Sequence, residues 1–222
     1  MFWILRHQDV VPAGRYARIL DERAVIKQSC LLHHGEGLPE ISSGDAVMVL
    51  GGTMGAYEEE RYPWLAPLKV WLRETVEQDV PVFAICLGAQ LLSSALGGTV
   101  TSNQNSERGI FRIRLEENAV ADPLFKEIPS TFYALQWHND CFDLPPGATL
   151  LASSRTCPVQ VFRYRRAYAI QFHPEVDAEI VTNWSRRLKP PQETYADEFR
   201  SAQSDWQPVW DRLLLNFLDT LP

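Results

Sequence analysis

Short apolar runs alternate with helix-like segments in the first half of the chain, and this alternation constrains the fold more than any other feature. Residues 46–50 and 80–85 are nearly uninterrupted apolar runs, typical of strands covered on both faces. Residues 63–78 carry apolar side chains at helical spacing, and residues 87–96 form a second helical pattern that ends at a Gly-Gly pair. The alternation predicts an α/β fold, with a mostly parallel central sheet, helices on both faces and a site at the carboxyl ends of the strands.

The remaining segments fit around this centre. Further strands are predicted from apolar, β-branched and aromatic runs at residues 1–6, 24–28, 110–115, 132–137, 149–152, 159–164 and 167–172. Further helices are predicted at residues 15–22, 177–188 and 195–218. The strands between 99 and 172 are expected to be mixed or antiparallel. Because the chain has no repeat and no long linker, residues 1–222 are expected to form one domain, with 177–222 as a helical extension packed on it.

The charge and hydropathy of the chain exclude two classes of partner. Lys and Arg number 21 against 28 Asp and Glu, a net charge of −7, and no basic run provides the patch that a phosphate backbone requires. A direct nucleic-acid partner is therefore not expected. No apolar run approaches the roughly 20 residues that span a bilayer, and no targeting segment is visible, so membrane insertion is not expected either.

The cysteines and paired histidines predict neither a disulfide framework nor a metal site. The four cysteines lie far apart without C-x-x-C spacing, which makes a reducing cytoplasm the predicted location. Cys30, Cys141 and Cys157 are expected to be packed and unreactive. His33 and His34 are adjacent, and because the sequence offers no evident third ligand, they predict a surface loop and no bound metal.

The remaining cysteine lies at a junction that suits a nucleophile. Cys86 stands between a buried strand and a helix, with small residues, Ala84 and Gly88, two positions to either side. This is the pattern of a nucleophile elbow, where a sharp turn exposes the reactive side chain, and the helix N-terminus favours a thiolate. The alternative is that Cys86 is simply a small buried apolar residue, the commoner fate of a free cysteine.

A histidine and a glutamate close a later apolar strand. His173 and Glu175 are two residues apart, so in extended backbone their side chains point to the same side. Pro174 between them restricts the backbone of His173 and stiffens the pair. With Cys86, the two suggest a nucleophile, its general base and the group that orients the base. The alternative is a His-Pro turn beside a solvated carboxylate.

Three motifs in this order resemble those of the class I (triad) glutamine amidotransferases: GG at 51–52, AICLGAQ at 84–90 and QFHPEV at 171–176. Within that family the chain most resembles free-standing proteins related to the glutaminase domain of GMP synthetase. The resemblance covers about residues 45–176 and implies the flavodoxin-like fold of the family. Alanine at position 84 departs from the glycine usual in the family, and it is still small enough for the turn.

The resemblance implies a role for each of five residues. Cys86 would be the nucleophile, His173 the general acid and base, and Glu175 its partner. The backbone N–H groups of Gly52 and Leu87 would form the oxyanion hole, which stabilises the negative charge that develops on the amide oxygen.

Two more residues match positions near the substrate. Gln90, one turn into the elbow helix, matches a family position that helps to bind glutamine. His138 lies in the segment QWHND at 136–140, where this group has a histidine-containing loop near the substrate pocket.

The implied reaction is hydrolysis of the glutamine side-chain amide through a γ-glutamyl thioester, which releases ammonia and glutamate without a metal or an organic cofactor. The residues after Val176 are too few for a synthetase domain, so any enzyme that accepts the ammonia is expected on a separate chain. Two alternatives stay open. One is a hydrolase of γ-glutamyl peptides or conjugates with the same triad, and the other is a catalytically silent regulatory module. The sequence does not determine the oligomeric state.

Overall fold

A computed structural model describes residues 1–102 and 106–221; residues 103–105 and 222, which belong to the predicted single domain, lie outside it. The strands are β1 Phe2–Arg6, β2 Lys27–Leu31, β3 Ala46–Val49, β4 Val82–Ile85, β5 Val100–Thr101, β6 Glu107–Leu115, β7 Thr131–His138, β8 Cys141–Phe142, β9 Thr149–Ser153, β10 Val161–Tyr164 and β11 Ala167–Ile170. The helices are α1 Gly14–Glu22, α2 Leu65–Glu77, α3 Leu87–Ala95, α4 Ala178–Arg187 and α5 Thr194–Asp219.

Within the described part of the chain, nine strands form one sheet in the order β2-β1-β3-β4-β11-β10-β9-β6-β7, and β5 pairs separately with β8. The strands from β2 to β11 are parallel, and each later neighbour is antiparallel. The predicted α/β fold with a large parallel central sheet is confirmed. We call the strands from β2 to β11 in the sheet order the parallel half, and β10, β9, β6 and β7 the antiparallel half.

Helices cover both faces of the parallel half because successive side chains of a strand point to opposite faces. Met48 of β3 and Phe83 of β4 belong to the core under α1 and α5. Val47 and Ala84, one position away on the same strands, belong to the core under α2 and α3. Burial on both faces explains why these strands are uninterrupted apolar runs.

The C-terminal helices pack on the body of the protein. On α5, the indole of Trp210 donates a hydrogen bond to the carbonyl of Tyr133 on β7 at 2.8 Å. Further along α5, Phe217 meets Phe83 of β4 edge to face, with ring centroids 5.2 Å apart. No helix in the described residues is long and apolar enough to cross a membrane.

Two sequence-based predictions differ from the structure. The second strand begins at Lys27, not near residue 24, because Ala24 adopts a left-handed φ of 54° in the turn that ends α1. Cys141 and Cys157 form a disulfide, so the expectation that they are unpaired is wrong. The two cysteines come together only in the folded chain, because the segment after β9 turns back on itself and the N–H of Ser154 donates to the carbonyl of Cys157. No short sequence motif predicts this turn. Cys30 and Cys86 are free thiols.

Candidate active site

The elbow at Cys86 has the strained geometry that its sequence context predicts. Cys86 lies between β4 and α3 with φ 51° and ψ −107°, a conformation that non-glycine residues rarely adopt. Its backbone N–H donates to the carbonyl of Ile170 on β11 at 2.8 Å, which ties the turn to the neighbouring strand. A Cβ atom at Gly88 would lie 2.4 Å from the carbonyl oxygen of Val49, so only glycine lets α3 approach β3 this closely.

The structure brings Cys86, His173 and Glu175 together at the carboxyl ends of β4 and β11. The Nδ1 of His173 donates to Oε1 of Glu175 at 2.7 Å. The His173 ring and the Cys86 side chain both adjoin Gly51: a Cβ built there would lie 2.9 Å from Cε1 of His173 and 3.4 Å from Cβ of Cys86. All three side chains are buried, with Glu175 completely excluded from solvent. The three side chains lie in the order that a nucleophile, a base and an orienting carboxylate require.

The electrostatics of the row favour a charged histidine. Burial by itself would lower the pKa of His173, but the negative charges of Glu175 and Cys86 and the hydrogen bond to Glu175 outweigh burial and raise the pKa to about 10. A protonated His173 next to Cys86 stabilises the thiolate, which is the reactive form of cysteine.

Gly51 and Gly52 let the loop after β3 lie directly against the triad. A Cβ at Gly51 would come within 2.9 Å of Cε1 of His173. A Cβ at Gly52 would come within 2.7 Å of Cδ2 of Leu87, so Gly52 lies beside the first residue of α3. The N–H groups in the first turn of a helix have no acceptor within the helix, which leaves that of Leu87 available to an oxyanion.

Gln90 and His138, the two predicted substrate-binding residues, both line the cavity beside Cys86. Their polar atoms are engaged with the protein. Nε2 of Gln90 donates to the carbonyl of Asp140 at 3.1 Å, and Nδ1 of His138 contacts the same carbonyl at 3.0 Å. Both side chains therefore hold the Asp140 loop at the edge of the cavity.

A buried polar network behind His138 was not predicted from the sequence. Oε2 of Glu107 lies 3.1 Å from Nε2 of His138 and accepts from Nε2 of Gln160 at 2.7 Å, while Oε1 accepts from the hydroxyl of Ser154 at 2.6 Å. Glu107 is fully buried. The network joins β6, β7 and the segment between β9 and β10, and fixes the wall of the cavity.

The cavity beside Cys86 has a volume of about 470 Å³. One wall is aromatic: the indole of Trp184 on α4 meets the ring of His173 at 4.9 Å and the ring of Trp137 on β7 at 5.7 Å. At another edge, the hydroxyl of Tyr57 donates to Asp140 Oδ2 at 3.2 Å and so joins the loop that follows Gly51 and Gly52 to the Asp140 loop.

Comparison with known proteins agrees with this geometry. Residues 27–181 match the family model of the class I glutamine amidotransferases. The match covers β2 through the start of α4 and includes Cys86, His173 and Glu175. The chain belongs to the class I glutamine amidotransferase family.

Individual relatives match this amidotransferase over most of its length or over about half of it. It is 31% identical to the glutamine amidotransferase-like protein YfeJ of Salmonella typhimurium, over 79% of this chain and 75% of YfeJ. It is 38% identical to one of the subunits of the glutamine-hydrolyzing GMP synthase of Thermococcus kodakarensis, over 45% of this chain and only about half, 53%, of that relative.

Solved structures share the fold of this amidotransferase. A glutamine amidotransferase from Thermotoga maritima superposes with a TM-score of 0.83 and 30% identity, covering 98% of this chain and 96% of that one. One from Methylobacillus flagellatus superposes with a TM-score of 0.89 over 100% of this chain and 95% of that one; at 21% identity it bears on the fold alone. The family and its relatives make this chain an enzyme of the amidotransferase class.

The histidine pair of this amidotransferase has a third partner that the sequence did not reveal. Nε2 of His33 lies 3.1 Å from Oδ1 of Asp9, and Nε2 of His34 lies 3.6 Å from Oδ2 of the same carboxylate. A third ligand-type group is therefore present, contrary to the expectation from sequence, because the loop after β1 brings Asp9 to the pair. Nδ1 of His33 also contacts the carbonyl of Arg6 at 3.3 Å, so the cluster holds the loop after β1 in place.

Proposed function

We propose that this chain hydrolyses the side-chain amide of glutamine through a γ-glutamyl thioester on Cys86. The observation that carries the proposal is the buried row of Cys86, His173 and Glu175, with His173 hydrogen-bonded to Glu175, beside a glycine loop and a helix N-terminus. The class I family of the chain supports glutamine amide hydrolysis in general.

In the first step the Cys86 thiolate attacks the amide carbon and forms a C–S bond. The carbon–nitrogen bond breaks as protonated His173 gives its proton to the leaving nitrogen, and ammonia departs. In the second step neutral His173 takes a proton from water, whose oxygen attacks the thioester, and the C–S bond breaks to release glutamate and restore the thiolate. The net reaction consumes one glutamine and one water, and no metal or organic cofactor takes part in either step.

The oxyanion formed in each step would be stabilised by the N–H groups of Gly52 and Leu87. Such fixed donors act in a cavity that excludes most water, and removing one typically costs about 2.7–4 kcal/mol of transition-state stabilisation. Glu175 keeps the His173 ring oriented and stabilises its positive charge throughout.

The ammonia would pass to a separate acceptor. Two relatives are named as subunits of glutamine-hydrolyzing GMP synthases, which supports a synthetase on another chain as the partner. We also propose that the whole chain acts as one domain. A cytoplasmic location belongs to the same proposal, and the Cys141–Cys157 disulfide is the observation that speaks against it.

The direct test is release of ammonia and glutamate from L-glutamine by the purified chain, with Cys86→Ser alongside. Mass spectrometry after treatment with an electrophilic glutamine analogue locates the modified residue. We expect turnover and labelling in the wild type and neither in the variant. If neither occurs, even after cell extract supplies a partner, the chain is the silent regulatory module and the catalytic proposal is wrong.

A second function, hydrolysis of γ-glutamyl peptides or conjugates, is favoured by the size of the cavity. At about 470 Å³ the cavity falls in the range that binds whole drug-sized ligands and exceeds the volume of one amino acid. The thioester chemistry would be unchanged and only the leaving group would differ. A panel of γ-glutamyl dipeptides assayed beside glutamine separates the two functions: turnover of glutamine alone would reject the second.

A further inference from the structure

Two guanidinium groups line the same cavity as Cys86, and neither is paired with a carboxylate among the described residues. Arg108 on β6 makes one long hydrogen bond, from Nη2 to Oδ1 of Asn139 at 3.4 Å, and its Nε is buried without a partner. Arg187, at the end of α4, makes no hydrogen bond or ion pair within the described part of the chain. The buried Nε of Arg108 is costly to leave without a partner, which points to a ligand that supplies one, whereas Arg187 is exposed to solvent.

Both guanidinium groups lie along the aromatic wall of the cavity, which begins beside His173. The guanidinium of Arg108 lies over the ring of Trp137, 5.5 Å from its centroid, and Trp137 contacts Trp184, which contacts His173. Arg187 follows Trp184 by three residues on the same helix, so the two side chains lie on one face of α4. The cationic groups are therefore placed along the wall, away from the reacting atoms.

Neither cation forms an ion pair with an acidic side chain among the described residues. The Glu58 carboxylate accepts the N–H of Gly55 at 2.7 Å and pairs with Arg61 at 3.7 Å, and Asp140 accepts from Tyr57. Arg187 is exposed to solvent and also lines a neighbouring depression with Asp177 and Glu179. Arg108 therefore presents a partly buried positive charge to whatever occupies the cavity, and Arg187 adds a solvated one at its mouth.

Free glutamine has one carboxylate, which its own ammonium group balances, and it does not fill the cavity. A γ-glutamyl amino acid or peptide is longer, carries a second carboxylate on the leaving group and has a net negative charge. Arginine binds carboxylates through paired, charge-assisted hydrogen bonds, and Arg187 at the exposed mouth lies where an extended substrate would end.

We propose that Arg108 and Arg187 recognise the carboxylate of the leaving group in a γ-glutamyl amino acid or peptide. The inference rests on the proposed thioester chemistry at Cys86 and names its substrate class. Each turnover then forms a C–S bond to Cys86, breaks the γ-glutamyl amide bond and gives the leaving amino acid a proton from His173. Water hydrolyses the thioester to glutamate.

The test compares the wild type with each of two variants on two dipeptide substrates. The two dipeptide substrates are γ-glutamylglycine and γ-glutamylglycinamide, which differ only in whether the leaving group carries a carboxylate. L-glutamine, whose leaving group is ammonia, is the third substrate. The variants are Arg187→Gln and Arg108→Gln. Matched controls are Arg186→Gln, whose side chain pairs with Glu193 on the outside of α4, and Arg112→Gln, exposed on β6; neither residue lines the cavity.

We expect the wild type to prefer the acid over the amide by about 10- to 100-fold in kcat/KM, and each cavity variant to lose most of that preference. Turnover of the amide and of glutamine should change little, and the control variants should behave as the wild type. Equal losses on acid and amide would place the arginines on the α-carboxylate of the glutamyl moiety and overturn the inference. Turnover of glutamine without either dipeptide would overturn it and leave the Cys86 chemistry intact, whereas no turnover of any substrate and no labelling of Cys86 would reject both.

Discussion

The two halves of the sheet contribute to the site in different ways. The parallel half supplies Cys86, His173 and the glycine loop from the ends of strands that are apolar throughout. The antiparallel half supplies the wall of the cavity, and its interior contains a buried carboxylate, Glu107, with three hydrogen-bond partners. The difference suggests that the chemistry depends on backbone geometry at strand ends, whereas the shape of the cavity depends on side-chain contacts between strands.

The largest expected effect is confined to the parallel half. Cys86→Ser should lower kcat by about 10⁶-fold, as loss of a nucleophile from a triad does, while the urea unfolding midpoint stays close to the wild type. Cys30→Ser is the matched control, because Cys30 is also a free thiol but lies outside the site. Retained turnover in Cys86→Ser would show that the parallel half does not supply the nucleophile.

The next prediction tests whether Glu175 orients His173, also in the parallel half. Glu175→Gln should lower kcat by about 10⁴-fold, because the ring of His173 loses its orienting carboxylate. His173 has a raised pKa of about 10, so the wild type should lose activity as pH rises through that value, when the imidazolium is deprotonated. Without the charge of Glu175 the pKa of His173 falls, and the alkaline limb of the kcat profile should move to lower pH. An unchanged limb would contradict this role for Glu175.

A third prediction tests whether the antiparallel half is structural. Glu107→Leu removes the acceptor shared by His138, Gln160 and Ser154 and should lower the free energy of unfolding by about 3 kcal/mol in urea at pH 7. Labelling of Cys86 by the glutamine analogue should persist under native conditions.

The matched control for this variant is Glu116→Leu, since Glu116 is partly exposed and pairs with Arg114. Its free energy of unfolding should change by about 1 kcal/mol or less. Equal losses of unfolding free energy in the two variants would mean that the buried network stabilises the antiparallel half no more than a partly exposed ion pair does.

The last prediction concerns a buried histidine in the parallel half, whose effect is confined to acidic pH. Burial and the nearby His33 lower the pKa of His7 from 6.5 to about 3, so the unfolded chain binds a proton there that the folded chain does not. The stability that a neutral His7 contributes is complete above pH 6.5 and is lost as pH falls toward 3. Around pH 5 this adds a slope of about 1.4 kcal/mol per pH unit to the unfolding free energy. His7→Gln should remove that slope in urea titrations, and an unchanged slope would contradict the assignment.

Much of the parallel half could be predicted from the sequence because its signals are local. An apolar run, small residues on either side of Cys86, and the His-Pro-Glu order are each contained within a few residues. The predicted strand and helix bounds there lie within about three residues of those observed. The grouping of Cys86 with His173, 87 residues apart, was suggested by their residue types and implied by the family resemblance, and the pairing of β4 with β11 provides its physical cause.

The antiparallel half and the cavity wall depend on contacts that no local pattern contains. Glu107 is opposite His138 because the register of β6 on β7 pairs these two residues directly. Cys141 and Cys157 form a disulfide for a similar reason, and the sequence predicted them to be separate.

The sequence by itself determined the α/β class, the elbow at Cys86 and the motifs of the amidotransferase family, because each depends on short-range spacing and on which side chains avoid water. Only the tertiary structure decided which charges are buried, which guanidinium groups stay unpaired and how large the cavity is. Those properties depend on strand register and on helix packing between residues far apart in the chain, such as Arg108 beside Trp137 and Trp184 against His173.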